Sequence, residues 1–256
     1  MKIKNKNYII GLVMFILTLI FSYMGYRGIF FQYKYIEILK IHDNPLVFDK
    51  ICLYIWPLIY IFSLIFLLLP YIKNLTMTDE EIYYEKLMPL FIYWNMANGI
   101  YSVMVNNNYL MPALIAIMGY SLVLITMVRI IDQYKDFSKK YKYLVTLPTG
   151  IHTGFLIFFV FTNILMYLGQ NKKDPSSIFT IIFALILLIL LSATILFVYK
   201  ENKNPGLIIG YLWAMIGIIS RQRPNKIIFI GSIILFALSI IISIYIKNFK
   251  EKNSSK

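Results

Sequence analysis

The sequence predicts an all-α integral membrane protein, and three observations carry that prediction. The 256-residue chain is 59% hydrophobic and 14% charged, whereas a soluble domain is about 45–50% apolar and about 25% charged. It contains long apolar runs without a formal charge, such as residues 51–72, and about 20 such residues cross a bilayer as a helix. It lacks the apolar and polar alternation that is typical of strands. We therefore expect a polytopic helical bundle.

Eight apolar segments are predicted to be membrane spans. They are residues 8–26, 51–72, 87–105, 109–128, 147–168, 177–199, 204–220 and 227–246. The first follows Lys2, Lys4 and Lys6, as the core of a signal peptide would, but no small-x-small cleavage motif closes it. Its 19 residues can cross a bilayer, so we expect a retained first helix.

Basic residues collect between the spans and indicate the orientation. Eight spans put both termini on one side, and that side holds 16 of the 25 Lys and Arg residues. Since cytoplasmic loops carry an excess of Lys and Arg, we expect a multi-pass protein of the cell (plasma) membrane with both termini in the cytoplasm. The net charge of +13 then indicates contact with membrane lipid headgroups. No nucleic-acid partner is expected, because no basic soluble domain is present.

The spans carry almost no ionisable side chain, which limits their chemistry. They contain no Asp, Glu, Lys or Arg, and His152 is their one histidine. Ion-coupled transporters and intramembrane hydrolases need such groups, so we predict no catalytic residue and favour a non-enzyme. Cys52 is the single cysteine and cannot form an intramolecular disulfide or a thiolate cluster. His152 could ligate a metal-bearing ring, but a helix-end histidine bonded to a carbonyl is the simpler interpretation, so no metal site is predicted.

Aromatic and amide side chains concentrate in the second, third and fifth spans. These residues are Trp56, Tyr60, Trp94, Asn98, Tyr101, Phe155 and Asn163. Flat apolar faces with a few donors and acceptors are the composition of a pocket for a flat, mostly apolar ligand. The alternative is helix packing, in which Asn bonds across helices for about 1 kcal/mol and the rings fill gaps. Residue types alone leave both interpretations open.

Three short motifs follow one another along these spans. Residues 55–60 are Ile-Trp-Pro-Leu-Ile-Tyr, and residues 98–101 are Asn-Gly-Ile-Tyr. Leu147-Pro148 opens a span that carries Phe155 and, eight residues later, Asn163. Together they resemble the TspO/MBR family, the tryptophan-rich sensory and peripheral benzodiazepine receptor-like proteins, whose signatures are Trp-x-x-x-Tyr, Asn-x-x-Trp and a spaced Trp and Asn. Tyr101 and Phe155 stand where that family has tryptophan.

The C-terminal part extends the resemblance beyond a five-helix protein. Asn-Pro-Gly at 204–206 and Leu-Trp-Ala-Met-Ile-Gly-Ile at 212–218 are similar to the extra helices of a longer bacterial branch. The resemblance then covers Phe48 to about Gln222. It implies one membrane domain with a five-helix TspO-like core over residues 1–170, followed by three additional transmembrane helices and a short basic tail over residues 171–256.

The resemblance implies a sensor, receptor or carrier for a porphyrin-like tetrapyrrole. Trp56 and Phe155 would stack on the faces of the ring, while hydrogen bonds to its edges would come from Tyr60, Asn98, Tyr101 and Asn163. The segment 27–50 would act as a lid whose basic residues meet ligand carboxylates. A porphyrin or haem-type molecule would then be a non-covalent ligand, and no covalent cofactor is expected.

Two other functions stay open from the sequence. Gly206, Gly210 and Gly217 permit close helix contact, which favours a non-catalytic membrane component that packs with a partner protein. An enzyme for tetrapyrrole turnover is the second alternative. The expected partners are membrane lipid and a tetrapyrrole-like small molecule, with a homodimer left open.

Overall fold

The computed structural model describes residues 2–170 and 177–254, with side chains placed over residues 6–170 and 177–248. These residues form helices and short connections, with no β-strand among them. The α-helices are α1 (Lys2–Arg27), α2 (Tyr35–Ile41), α3 (Ile55–Ile72), α4 (Met77–Glu81), α5 (Met88–Asn106), α6 (Leu110–Gln133), α7 (Lys135–Lys140), α8 (Leu147–Gly169), α9 (Ile178–Asn202), α10 (Pro205–Arg221) and α11 (Lys226–Ser254). A 3₁₀-helix, Lys50–Tyr54, precedes α3, and π-helical turns precede α5 (Ile82–Leu87) and α8 (Lys142–Thr146).

Within the described residues, six helical segments are long and apolar enough to cross a membrane. They are Lys6–Arg27, Lys50–Ile72, Leu110–Gln133, Lys142–Gly169, Ile178–Asn202 and Lys226–Asn248. Each coincides with a predicted span. The chain is therefore a membrane protein.

The other two predicted spans are α5 and α10, which are helices outside that set. α10 has 17 residues, and α5 has 19 residues and carries the buried Asn95, Asn98 and Asn106. A helix of 19 residues is about 28 Å long, close to the thickness of the hydrocarbon core. Its amides reduce its apolar character, but they are buried in protein rather than exposed. All eight predicted spans are thus helical, and the predicted all-α polytopic membrane bundle is confirmed.

Pro57 explains where α3 begins. It lies in the first turn of α3, directly after the 3₁₀-helix. The N–H groups in the first turn of a helix have no helical acceptor, so a proline there removes no hydrogen bond. Deeper in a helix, a proline would remove a hydrogen bond and clash with the preceding turn. The helix type accordingly changes after Tyr54, just before this proline.

The helices fall into two compact units. The first unit consists of Met1–Ile41 and Tyr54–Thr149. In it, α5 packs against α1 and, antiparallel, against α6. Phe66 is 3% exposed, and its ring centroid lies 5.0 Å from those of Tyr83 and Phe91. Trp94 joins the same cluster at 4.9 Å from Phe91, so this tryptophan serves as core packing.

The second unit consists of His42–Leu53 and Gly150–Lys256. Here α9, α10 and α11 pack together, and the segment 42–53 packs with α10 and α8. The Phe48 ring lies 5.6 Å from those of Phe158 and Phe159 on α8. The Asp49 backbone N–H donates to the Gly217 carbonyl on α10 at 3.0 Å.

The loop segment 27–50 is therefore shared between the units. Gly28 and Phe30 both have positive φ, 71° and 62°, and reverse the chain after α1. The Tyr33 N–H then donates to the Asn106 carbonyl at the end of α5, at 2.9 Å, which fixes α2 over that end of the first unit. The residues after Ile41 belong to the second unit. The predicted role of the segment as a lid stays a prediction.

Candidate functional site

Trp56 and Tyr60 form the centre of the candidate site in the first unit. They lie four residues apart on α3, so their side chains share one helical face. Their ring centroids are 6.0 Å apart with an interplanar angle of 28°, an offset-stacked pair. Both side chains are half-buried. The pair therefore offers a flat aromatic surface that is only partly covered by the protein.

The Tyr60 hydroxyl links three helices through neutral hydrogen bonds. It donates to the Ser22 Oγ on α1 at 2.7 Å, and it also forms a side-chain hydrogen bond with Asn98 on α5. Asn98 is 3% exposed. The structure thus joins three of the predicted site residues, Trp56, Tyr60 and Asn98, into one cluster.

Other amides of α5 bond within their own helix. The Asn95 Nδ2 donates to the Phe91 carbonyl at 2.8 Å, and the Asn106 Nδ2 donates to the Ser102 carbonyl at 2.7 Å. Such bonds satisfy an amide locally and orient it along the helix. Asn98 differs because its amide reaches Tyr60 on a neighbouring helix.

Tyr101 lies on α5, three residues after Asn98, and is 4% exposed. Its side chain lies beside that of Tyr35 of α2. The predicted role of Tyr101 at the edge of a ligand stays a prediction. What the structure adds is that its polar tip contacts the segment that covers the end of α5.

Phe155 and Asn163 lie in the second unit, on α8. Phe155 is 0% exposed, and its ring centroid lies 5.5 Å from that of Phe159 and 6.2 Å from that of Phe158. The Asn163 Nδ2 donates to the Phe159 carbonyl of the same helix at 2.8 Å. Both residues are thus part of the packing of the second unit, and their assignment to a ligand site rests on the resemblance alone.

Sequence reasoning missed two members of the cluster in the first unit. Ser22 accepts the bond from Tyr60, and Tyr120 on α6 is 1% exposed and lies near Tyr60. A serine or tyrosine inside an apolar run has no distinctive spacing. Only the packing of α1 and α6 against α3 and α5 identifies them.

The charged network of the first unit lies in the connections outside its spans. The Asp79 carboxylate accepts hydrogen bonds from Lys140 Nζ at 2.5 Å and from the Tyr141 hydroxyl at 3.1 Å, and it is capped by Thr76. Burial alone raises the pKa of Asp79, but the bonds from Lys140, Thr76 and Tyr141 outweigh it and hold the pKa below its ordinary value. Across the described residues, no three His, Cys, Asp or Glu side chains converge as metal ligands.

The glycines of α10 are used inside the second unit. A side chain at Gly210 would meet the backbone of Ile151 and Phe155, and one at Gly217 would meet Cys52 and Phe48. The Trp213 Nε1 donates to the Cys52 carbonyl at 3.3 Å on the same helix face. These two positions therefore serve internal helix contacts, and the alternative of a partner protein stays a prediction.

Comparison with known proteins identifies the family. A family model described as TSPO-like protein matches residues 8–245, a longer stretch than the motifs alone suggested. No curated protein and no solved structure matched the chain. The family predicted from the motifs around Trp56 and Asn98 is confirmed. This membrane protein belongs to the TSPO-like protein family.

Proposed function

We propose that the protein is a membrane sensor or carrier that binds a flat hydrophobic ligand, a porphyrin-like tetrapyrrole, beside the Trp56, Tyr60 and Asn98 cluster of the first unit. The observation that carries the proposal is the cluster itself. It combines a partly exposed stacked ring pair with hydrogen-bonding groups from three helices. The membership of the chain in the TSPO-like family supports the same ligand class.

The chemistry of the cluster matches a flat ring with polar edges. The Trp56 ring can stack on a ligand face, a contact worth about 0.5–1.5 kcal/mol beyond its buried area. Tyr60 and Asn98 can exchange hydrogen bonds with each other for bonds to the ligand edge. The groups that now bond Tyr60 and Asn98 are neutral. A ligand that replaces these bonds would therefore leave no charged group unpaired.

A titration tests the proposal. Purified protein in lipid nanodiscs is titrated with protoporphyrin IX, and binding is followed by quenching of tryptophan fluorescence and by the porphyrin spectrum. We expect saturable binding, and a loss of about tenfold or more in affinity for Trp56→Ala, since each 1.4 kcal/mol is tenfold. Asn98→Ala should give a smaller loss in the same direction.

Two substitutions serve as matched controls. Trp213→Ala removes another half-buried tryptophan from α10, and Asn95→Ala removes a buried asparagine from α5 that bonds its own helix. Neither should change the affinity by more than about twofold, which is under 0.5 kcal/mol. Absence of saturable binding, or equal losses in the site and control variants, would show that the pocket assignment is wrong.

The role of the second unit in binding needs its own substitutions. Phe155→Leu keeps an apolar side chain while removing the ring, and Asn163→Ala removes the amide. If these residues contact ligand, as the resemblance implies, porphyrin affinity falls while the thermal midpoint of the unliganded protein changes little. If they are packing residues, the midpoint falls and the affinity of the folded fraction is retained.

The same titration separates the alternative functions. A turnover enzyme would destroy the porphyrin spectrum in light or oxygen, and Trp56→Ala would abolish that loss. A non-catalytic component would bind no porphyrin and would co-purify with a specific partner. The homodimer stays a prediction, and the molecular mass of the protein in nanodiscs or detergent tests it.

We further propose that the protein resides in the plasma membrane with both termini in the cytoplasm. The support is the excess of Lys and Arg on the side of the termini, 16 of 25. A fluorescent protein that folds only in the cytoplasm, fused after Lys256, should be bright. A dark fusion together with an active periplasmic reporter at the same position would reverse the orientation.

A further inference from the structure

We infer that the site in the first unit selects uncharged ligands, so that a tetrapyrrole binds there with its carboxyl groups esterified or protonated. This rests on the proposed function. It names the ligand class more narrowly than the family does, and it differs from the expectation that basic residues of the segment 27–50 meet ligand carboxylates.

The polar side chains within the predicted spans of the first unit are all neutral. Residues 8–26, 55–72, 88–106 and 110–128 contain no Asp, Glu, Lys, Arg or His. The Ser22 hydroxyl and the Asn98 amide bond the Tyr60 hydroxyl, and the Tyr120 phenol lies near it. Each can donate to or accept from a carbonyl, an ester or a pyrrole N–H. None can neutralise a carboxylate.

The basic residues closest along the chain are exposed. Arg27 lies five residues after Ser22, about 7.5 Å of helix, and Lys50 lies six residues before Trp56. The Arg27, Lys34 and Lys50 side chains are all exposed. An exposed ion pair with a ligand carboxylate would contribute little, about 0–1 kcal/mol. A carboxylate drawn down to the Tyr60 hydroxyl would be buried without a cation, which is strongly unfavourable.

The cost of burying a carboxylate predicts the order of affinities. A buried acid binds in its protonated form, because neutralisation costs less than burying the charge. A porphyrin propionate resembles a glutamate side chain, which ionises near pH 4.3. Above that pH, each rise of one pH unit lowers the protonated fraction of a carboxyl group about tenfold. The affinity for an acid that must bind protonated therefore falls about tenfold per pH unit for each buried carboxyl group. The affinity for an ester does not change with pH.

The ester serves as the control for titration of the protein's own groups. A group of the protein that changes its charge in this range acts on both ligands, whereas the carboxyl groups belong to the diacid alone. Asp79, in the connection before α5, stays ionised because its pKa is lowered. A pH dependence between 6 and 8 that is specific to the acid therefore belongs to the ligand.

The experiment compares protoporphyrin IX with its dimethyl ester, in nanodiscs of zwitterionic lipid, at pH 8, 7 and 6. Protein-free nanodiscs correct for partition of each porphyrin into lipid. At pH 8 we expect the ester to bind at least tenfold more tightly than the diacid. The diacid should gain about tenfold per pH unit for each buried carboxyl group, and the ester should stay constant within twofold.

Two variants separate the alternatives. Arg27→Gln should leave the affinity for both ligands unchanged within twofold. Tyr60→Phe removes a neutral donor and should weaken both ligands by the same factor, without changing the pH dependence of the diacid.

Three results would contradict these expectations. If the diacid binds as tightly as the ester at pH 8, the site does not select against charge and the inference is wrong. If Arg27→Gln then weakens the diacid alone, a cation at the rim holds the carboxylate instead. If neither porphyrin binds saturably, the proposed function itself fails, and the inference fails with it.

Discussion

Asp79 shows how one buried carboxylate organises the connections outside the membrane spans. It is 7% exposed and accepts bonds from Thr76 in its own turn, from Lys140 and from Tyr141. The Asp79 and Thr76 pair also forms a capping box that begins α4. A carboxylate with this many donors is stabilised in its ionised form.

Replacing Asp79 should lower stability in a way that depends on pH. The pKa of Asp79 is lower in the folded protein than its ordinary 3.8. Its stabilising contribution is therefore complete above that ordinary value and is lost as the pH falls through the lower folded pKa. We expect Asp79→Asn to destabilise the protein by about 1–2 kcal/mol at pH 7. The difference from wild type should shrink below about pH 4.

Thermal unfolding in detergent from pH 3 to pH 7 measures this effect. Asp136→Asn is the control, because Asp136 is an exposed acid on neighbouring α7 and should change the midpoint little at any pH. A constant difference between Asp79→Asn and wild type across the whole range would show that the ionised carboxylate does not contribute.

At the scale of elements, the contact between α8 and α10 depends on facing glycines. Gly154 on α8 faces the Leu207 carbonyl of α10, and Gly210 on α10 faces the Ile151 carbonyl of α8. Backbone carbonyls cannot move aside as a flexible side chain can. Such close approach of two backbones is typical of small-residue packing between membrane helices, and it explains why α10 can be short and still well packed.

Alanine at either facing glycine should separate the two helices. We expect Gly154→Ala and Gly210→Ala each to cost about 1–3 kcal/mol, the usual range for overpacking. Gly119→Ala is the matched control on α6, because nothing lies within 4 Å of the added carbon. The control should be neutral or stabilising by up to about 1 kcal/mol. Equal effects at all three positions in chemical or thermal unfolding would contradict the close contact.

At the scale of the whole molecule, the ion pair between Asp79 and Lys140 constrains the membrane topology. It joins the connection before α5 to the connection after α6. Both connections must therefore lie on the same side of the membrane. Since α6 is long and apolar enough to cross it, we expect α5 to cross it in the opposite direction, with its amides buried against protein.

Cysteine labelling tests this topology. Glu81→Cys and Lys139→Cys should react with a membrane-impermeant maleimide from one side, and Tyr109→Cys, at the turn between α5 and α6, from the other. All three native side chains are exposed, whereas Cys52 is buried and should give no background. Labelling of positions 81 and 139 from opposite sides would show that α5 and α6 do not form a spanning pair.

The sequence by itself determined the environment and the helices. Runs without charge, such as 51–72, specify membrane spans because burying an unpaired charge in lipid is unfavourable and a helix satisfies its own backbone. It also identified the family through Trp56, Tyr60 and Asn98, whose spacing is local. The start of α3 at Ile55, two residues before Pro57, could have been inferred from the same local rules.

The tertiary structure decided which of those residues act together. Spacing along one helix cannot show that Tyr60 bonds Ser22 and Asn98 on two other helices, or that Trp94 belongs to the core around Phe91. It cannot show that Gly210 faces the Ile151 backbone inside the same chain rather than a partner. These contacts join residues distant in sequence, and they follow from how the helices pack, which no local pattern encodes.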